Sequence, residues 1–265
     1  MSIRFACQTY SWQMTIDAHR GKVEHLVDVV ARAGFAGFEP EIVMLGDGWN
    51  ADQLREVLDR HGVQLAALCL VADWEAPRES DAERAEADAV IAAVASIPGA
   101  IINLVTYPGT DRADLRLRQD AILSCVDAVS ARAADAGVRT VFHANSPEGS
   151  VFRTRDDYSY LLDHLPGRIG FCPDLGHVAR GGMDPLEIVR TYRDRVEHLH
   201  VKDMYADGRW APSGEGIVDV PGVLRLLADT GYDGWIVLED ESSEAEADPD
   251  AAAARNGQYI REVLT

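Results

Sequence analysis

Residues 196–203 read VEHLHVKD, and this stretch decides how the rest of the chain is interpreted. Leu199 and Val201 favour a β-strand. His198, His200 and Lys202 fall at alternate positions, so their side chains share one face of that strand. Two histidines and a lysine are an unusual core face, because buried polar groups need partners. The stretch therefore raises the question of whether this face packs or holds a ligand.

Short β-rich segments alternate with helical segments along the whole chain. The predicted strands are 3–10, 35–42, 63–71, 100–107, 139–145, 168–177, 196–203 and 233–241, and the predicted helices are 22–34, 51–62, 79–97, 114–137, 155–165, 183–195, 220–231 and 251–264. Eight βα units in order predict a parallel sheet closed into a (β/α)8 TIM barrel. We therefore expect an α/β fold with a single domain over residues 1–265, and a doubly wound sheet is the alternative. The acidic segment 241–250 is interpreted as a solvated loop.

The composition argues against several classes of protein. The chain has 265 residues, 47% of them hydrophobic, and a net charge of −19, which repels nucleic-acid backbones and anionic membranes. The longest apolar run, 65–72, is too short to span a bilayer, and the amino terminus shows no signal-peptide core. We expect a cytoplasmic protein with no nucleic-acid or membrane partner. The four scattered cysteines indicate reduced thiols.

Polar side chains gather at the carboxyl ends of the predicted strands, where TIM barrels carry their active sites. They are Gln8, Tyr10, Trp12, Glu39, Glu41, Asn103, His143, Asn145, Asp174, His177, His200, Lys202, Asp203, Glu239 and Glu241. Asp174, His200 and Glu239 lie on three neighbouring strands and can converge on one divalent metal ion. His143 is the fourth ligand, or a base beside the metal. Mixed nitrogen and oxygen ligands suit Mn²⁺, which we expect first, but also Co²⁺, Mg²⁺, Fe²⁺ or Zn²⁺.

Each of these residues also has a purely structural interpretation. Asp174 can cap the turn after its strand, and Glu239 can pair with Lys202. A single histidine in a strand is more often a core residue than a ligand, and for His198 we favour a structural or supporting role. It is the collection of all these groups at one end of one barrel that favours a site.

Several motifs resemble a known family. They are FACQTYSW (5–12), GFAGFE (34–39), PDLGH (173–177), HLHVKD (198–203), SGEG (213–216) and WIVLE (235–239), and they resemble the xylose isomerase-like TIM barrels, the sugar isomerase/epimerase superfamily. The resemblance covers the whole chain. It implies that Asp174, His200 and Glu239 hold a divalent metal and that His177 and Lys202 lie near substrate. Epimerases of this family carry a glutamate where this chain has His143, which raises the odds of a lyase.

The function expected from these residues is a metal-dependent isomerase or epimerase acting on a ketose or related keto-sugar. Glu239 and His143 are the expected catalytic acid–base groups. His177, Lys202, Glu39 and Asn145 are expected to bind hydroxyls of a sugar or cyclitol, and Trp12, Tyr107 and Trp210 to form an apolar wall. The alternatives are a lyase of the same fold, such as an inosose dehydratase or a 3-keto-glycoside-cleaving enzyme, and a non-catalytic binding barrel. A homo-oligomer or a partner subunit is left open.

Overall fold

The computed structural model describes residues 3–264, so residues 1, 2 and 265 of the predicted domain lie outside the described range. The strands are β1 Arg4–Gln8, β2 Gly37–Glu39, β3 Gln64–Leu65, β4 Ala67–Ala72, β5 Ile101–Thr106, β6 Thr140–His143, β7 Ile169–Cys172, β8 His198–Val201, β9 Asp203–Met204, β10 Trp210–Ala211 and β11 Trp235–Leu238. The helices are α1 Tyr10–Gln13, α2 Ile16–His19, α3 Val23–Ala33, α4 Ala51–His61, α5 Asp81–Ala95, α6 Leu115–Asp135, α7 Arg155–His164, α8 Leu175–Arg180, α9 Pro185–Thr191, α10 Val220–Asp229, α11 Ser243–Ala247 and α12 Pro249–Val263. Short 3₁₀ helices occupy Ile42–Leu45 and Arg193–Arg195.

The parallel strands form two arcs of one TIM barrel. One arc has the order β3-β2-β1-β11-β8 and the other the order β4-β5-β6-β7. Isolated parallel bridges join the arcs, from Glu41 to Cys69 on one side and from Phe171 to Val196 and Asp174 to His200 on the other. The predicted α/β barrel is therefore confirmed, and the carboxyl ends of all its strands point to one rim.

The two faces of each barrel strand have different partners. The outward face packs against the helices in a large apolar cluster that includes Phe38, Leu68, Phe142 and Leu199. The inward face is filled by small apolar clusters, with Ala6 and Val237 in one of them. On β8, His198 pairs in register with Trp235 and His200 with Val237, so both histidines lie on the inward face.

The helices form where the sequence places amphipathic segments between caps. Asn50 accepts a hydrogen bond from the backbone of Gln53 at 2.9 Å, and Ser80 forms a capping box with Glu83. At the other ends, Gly34 and Gly62 adopt the left-handed conformation that closes α3 and α4. Among residues 3–264, none of these helices combines the length and apolarity that a bilayer crossing needs.

The predicted element boundaries fail mainly at the rim. The strand predicted over 168–177 ends at Cys172, because Asp174 caps the helix α8. The segment 241–250, interpreted as a solvated loop, contains α11 and the start of α12. Its Ser242 accepts a hydrogen bond from the backbone of Ala245 at 3.2 Å, which starts α11.

Candidate active site

The structure brings the four expected metal ligands together. His143, Asp174, His200 and Glu239 are all buried, and one potential ligand atom of each lies within 4.8 Å of the others. His143 ends β6, Asp174 follows β7, His200 lies in β8 and Glu239 follows β11. These four strands end at the same rim of the barrel, so residues that are far apart in the sequence form one compact cluster.

Two members of the cluster have buried polar atoms without hydrogen-bond partners in the described part of the chain. They are both ring nitrogens of His143 and the Oδ2 atom of Asp174. His143 Nε2 and Asp174 Oδ2 lie 3.7 Å apart, beyond hydrogen-bond distance. The other oxygen of Asp174 accepts from the backbone of His177 at 2.7 Å, so the residue caps α8 and still directs one oxygen into the cluster. Orphaned buried donors and acceptors of this kind fit a bound cation.

The buried carboxylate of Glu39 fixes the orientation of the His200 imidazole. His200 Nε2 lies 2.8 Å from Glu39 Oε1, and His200 Nδ1 lies 2.7 Å from Glu239 Oε2. His198 Nε2 lies 2.5 Å from the other oxygen of Glu39, and Asn103 donates to Oε1 at 3.0 Å. A carboxylate behind a ligating histidine is a common support in metal sites, and here Glu39 leaves Nδ1 of His200 facing Glu239.

Charge is balanced by one buried lysine. The Lys202 ammonium donates to Glu239 Oε1 at 2.9 Å and to Glu241, and lies 3.7 Å from Asp174 Oδ2. Although burial alone raises the pKa of Glu239, Lys202 holds that pKa well below its usual range. The same ammonium keeps the pKa of Asp174 low against the effect of burial. Both carboxyls are therefore ionised, as metal ligands must be.

The two histidines of the cluster differ in protonation. Burial lowers the pKa of His143, so its imidazole is neutral near pH 7. Burial also lowers the pKa of His200, but the carboxylates of Glu39 and Glu239 outweigh it and raise that pKa to about 10. In the absence of an ion, the His200 imidazole between these two carboxylates is therefore protonated near pH 7.

A cavity of about 170 Å³ opens onto this cluster. Among the expected site residues, His143, His177, His200 and Glu239 line it, together with Asn145, Tyr107 and Trp210. His177 Nδ1 lies 2.7 Å from Ser146 Oγ, and its ring packs edge-on against Trp210 at 5.3 Å between centroids. The structure thus places the predicted imidazole, amide and aromatic groups around one space.

Three of the predicted substrate contacts, Trp12, Glu39 and Lys202, are not among the residues that line this cavity. Trp12 lies on α1, whose Tyr10 and Gln13 line the cavity. Trp12 itself is buried, and its Nε1 donates to Asp250 at 2.7 Å. Glu39 is buried behind His200, and Lys202 is enclosed by carboxylates. Glu39 and Lys202 therefore lie behind the cavity lining, where they are hydrogen-bonded to His200 and Glu239.

Sequence reasoning missed one cationic group of the cavity wall, Arg180. Its guanidinium lies 4.6 Å from the ring centroid of Trp210, and it lines the cavity three positions after His177 on α8. The signal was present, because an aspartate cap followed by His177 and Arg180 at helical spacing puts both side chains on one face. It was overlooked because the predicted strand ran through the start of this helix.

The protein is an α/β barrel with a cluster of carboxylates and imidazoles at the carboxyl ends of its strands. Residues 27–263 match the family described as "Xylose isomerase-like TIM barrel". The chain belongs to this family, as its motifs predicted. The family includes sugar isomerases, epimerases and dehydratases.

The chain is similar in sequence to proteins named inosose dehydratase. The chain is 28% identical to an inosose dehydratase of Lacticaseibacillus casei over 148 residues, which covers 49% of this chain and 49% of that relative. That match therefore spans about half the length of the relative. It is 25% identical to an inosose dehydratase of Geobacillus thermodenitrificans over 271 residues, covering 90% of this chain and 89% of the other.

Solved structures share the fold at lower identity. The IOLI protein with a bound zinc atom has a TM-score of 0.79 and 14% identity, covering 99% of this chain and 98% of the other. The 3-keto-D-glucoside 4-epimerase YcjR of E. coli has a TM-score of 0.75 and 16% identity, with 98% of each chain covered. These likenesses support the barrel fold.

Proposed function

We propose that this protein is a divalent-metal-dependent lyase that removes an oxygen substituent from the carbon β to a ketone of a sugar or cyclitol. The observation that carries the proposal is the buried cluster of His143, Asp174, His200 and Glu239, with its orphaned atoms. The isomerase or epimerase expected first from the sequence shares the initial proton abstraction. The relatives named inosose dehydratase favour the lyase instead, as does a histidine at position 143.

Asp174, His200 and Glu239 would hold the ion, and His143 completes the set as a fourth ligand or stands beside it as a base. Catalytic metal sites commonly use three protein ligands and keep a position open for substrate. A bound divalent ion supplies Lewis acidity that polarises the substrate carbonyl. The nitrogen and oxygen donors fit Mn²⁺ and Zn²⁺ alike, so manganese is the first ion to test and zinc the second.

His143 is the group that we assign to proton abstraction. Its ring is neutral near pH 7, and both nitrogens are without a hydrogen-bond partner among the described residues. Glu239 is a weaker base, because Lys202 stabilises its carboxylate. His143 takes the proton next to the carbonyl, and the electron pair it leaves behind moves toward the carbonyl oxygen.

The other cavity groups bind the substrate's hydroxyls. His177, Asn145 and Arg180 offer polar atoms at the cavity wall, and Trp210 offers an apolar face. The volume of about 170 Å³ is below the roughly 300–1,000 Å³ typical of sites for drug-sized ligands. The inner cavity is therefore sized for one small polyol ring.

The experiment incubates the metal-loaded protein with inososes, free ketoses and 3-keto-glycosides in D₂O. We expect mass spectrometry to show loss of water or of an aglycone. Deuterium uptake with the remaining mass retained would contradict the lyase and support the isomerase or epimerase. Unchanged mass with every ketone would support the non-catalytic binding barrel.

The variants His143→Ala and His200→Ala separate base from ligand. His200→Ala should lose both the metal and turnover. His143→Ala should keep the metal and lose turnover, and if it loses the metal as well, His143 is a ligand and the assignment as base is wrong.

A further inference from the structure

The inner cavity continues into a second, wider groove. This outer groove has a volume of about 440 Å³ and shares Glu41, Cys69, Val71 and Tyr107 with the inner cavity. Its own walls combine the apolar side chains of Ile42, Val43 and Trp49 with the charged side chains of Arg20, Asp47 and Glu86. A ligand seated in the inner cavity can therefore extend through this junction without leaving the protein surface.

The apolar side chains of the outer groove suit a flat ring. Tyr107 is 56% exposed and Val43 is 38% exposed, although both are large hydrophobic residues. Trp49 adds an indole to the same groove. Aromatic walls stack against planar rings and prefer them to water. A sugar or cyclitol with no substituent would leave this surface unused.

Glu41 is the ionisable carboxyl group at the junction. It follows β2 and lines both the inner cavity and the outer groove. Gln13 donates to Glu41 Oε2 at 2.8 Å, and the backbone NH of Glu41 donates to Thr9 Oγ1 at 3.2 Å. The described residues include no salt-bridge partner for this carboxylate and no donor to Oε1. A carboxyl enclosed without a paired cation favours its neutral, protonated form.

The charges around Glu41 reinforce that preference. Burial raises the pKa of the Glu41 carboxyl to about 7, and the negative charges of Glu239 and Glu241 add to the rise. The hydrogen bond from Gln13 and the cation of Lys202 act in the opposite direction and are weaker. The other junction acids are poorer donors near pH 7, because burial raises the pKa of the Cys69 thiol and of the Tyr107 hydroxyl above their already alkaline values.

We propose that Glu41 is the general acid of the elimination, and that the group it protonates is an apolar aglycone held in the outer groove. The inference rests on the proposed lyase function and specifies its substrate class as a keto-glycoside with a flat apolar aglycone. The leaving oxygen then lies where the two cavities meet, within reach of Glu41.

The step balances without an added oxidant or reductant. His143 removes the proton from the carbon between the ketone and the glycosidic carbon. The electron pair of that C–H bond becomes the new carbon–carbon double bond, and the glycosidic carbon–oxygen bond breaks with its pair on oxygen. Glu41 gives its proton to that oxygen, so the products are an α,β-unsaturated ketone and the free alcohol or phenol. Solvent then restores the proton to Glu41 and removes the one on His143.

The test compares two leaving groups on one sugar, methyl and 4-nitrophenyl 3-keto-glucosides, with Glu41→Gln and the wild type. A poor leaving group needs the acid and a good one does not. General acid catalysis is worth about 10²–10⁴-fold, so we expect Glu41→Gln to lose that factor with the methyl glycoside and less than tenfold with the nitrophenyl glycoside. Glu41→Asp should recover part of the loss. Glu56→Gln, at an exposed position on α4, is the matched control and should resemble the wild type with both.

Two further readouts do not depend on a simple loss of activity. Infrared difference spectra of wild type against Glu41→Gln should show a carboxyl group that titrates near pH 7 and is missing only from the variant. Trp49→Ala should raise KM for the nitrophenyl glycoside more than for the methyl glycoside. An equal loss with both leaving groups in Glu41→Gln, or the absence of a titrating carboxyl, would overturn the assignment of Glu41.

The outcomes also separate this inference from the proposed function. If no ketone substrate undergoes elimination, the lyase proposal fails and the assignment of Glu41 fails with it. If water leaves an inosose faster than either aglycone leaves its glycoside, the lyase stands and the glycoside specificity is wrong.

Discussion

Glu39→Gln should weaken divalent-metal binding, although Glu39 lies behind the metal cluster and not in it. Its Oε1 atom lies 2.8 Å from His200 Nε2, so the carboxylate orients the imidazole and increases the basicity of the opposite nitrogen. Replacement of such a supporting carboxylate typically costs 10–100-fold in metal affinity, or about 1.4–2.7 kcal/mol. The substitution changes one charged oxygen for an amide nitrogen and leaves the volume almost unchanged.

The contacts of Glu39 place the expected loss toward the upper end of that range. Its two oxygens have four neighbours, His198 at 2.5 Å, His200 at 2.8 Å, Asn103 at 3.0 Å and the Cys69 thiol at 3.1 Å. A glutamine has one acceptor oxygen, and its NH₂ group cannot accept from Asn103 or from a protonated imidazole nitrogen. With the amide nitrogen toward His200, the hydrogen bonds from Asn103 and Cys69 are lost. With the amide nitrogen toward His198, that contact survives only if Nε2 of His198 is unprotonated.

The assay is a competition titration of Mn²⁺ or Zn²⁺ against a fluorescent chelator, with wild type, Glu39→Gln and the exposed control Glu56→Gln. Circular dichroism establishes that each variant is folded. We expect the control to match the wild type and Glu39→Gln to bind at least tenfold more weakly. An affinity within threefold of the wild type would refute the reasoning that Glu39 holds His200 in place.

Three further predictions concern stability and follow from separate contacts. Lys202→Met removes the ammonium that is hydrogen-bonded to both Glu239 and Glu241. It should cost about 3–5 kcal/mol in metal-free protein by urea denaturation, and a cost below about 1 kcal/mol would contradict this expectation. Gly37→Ala places a Cβ atom 2.7 Å from the Trp235 ring and 2.8 Å from Ala6 Cβ. It should lower the free energy of unfolding by about 1–3 kcal/mol in the same measurement. An unchanged urea midpoint would show that the barrel interior can accommodate the extra methyl group. Burial alone raises the pKa of Asp157, but hydrogen bonds from Thr154 and Arg112 outweigh it and hold that pKa below its usual value. Asp157→Asn should therefore cost about 1.5–3 kcal/mol of stability at pH 7. The difference from wild type should shrink as pH falls below the ordinary aspartate pKa of about 3.9. A difference that grows on acidification would contradict a lowered pKa for Asp157.

The order of strands and helices was predictable because hydrophobic periodicity and glycine stops mark each βα unit. The rim was not, because its elements are short. The helix α1 spans only Tyr10–Gln13, and nothing in the local pattern distinguishes it from the end of a strand. The helices α8 and α11 did have cap signals, in Asp174 and Ser242, but a capping aspartate and a ligating aspartate look the same in a sequence.

The cluster was predictable for a geometric reason. Adjacent parallel strands end at the same rim, so Asp174, His200 and Glu239 converge whatever the details of packing. Depth along a strand was harder to judge. Glu39 and Lys202 share the inward face with the cluster, but their side chains are used to hold it, and only the structure shows which layer each occupies. His198 has the supporting position that the sequence favoured, against Glu39.

The glutamate Glu241 shows how much a local composition can mislead. It begins a run of acidic residues that is typical of a solvated loop, yet its carboxylate is hydrogen-bonded to the buried Lys202 and lines the inner cavity. The signal that separates Glu241 from the glutamates that follow is its position at the end of the predicted strand 233–241.

The most direct measurement of the central claim is the metal content of the purified protein, before and after chelation, for wild type and Asp174→Asn. We predict about one divalent ion per wild-type chain, a fall in melting temperature on chelation that added Mn²⁺ or Zn²⁺ reverses, and little or no ion in Asp174→Asn. Wild-type protein without bound metal, whose melting temperature does not respond to either ion, would contradict the account.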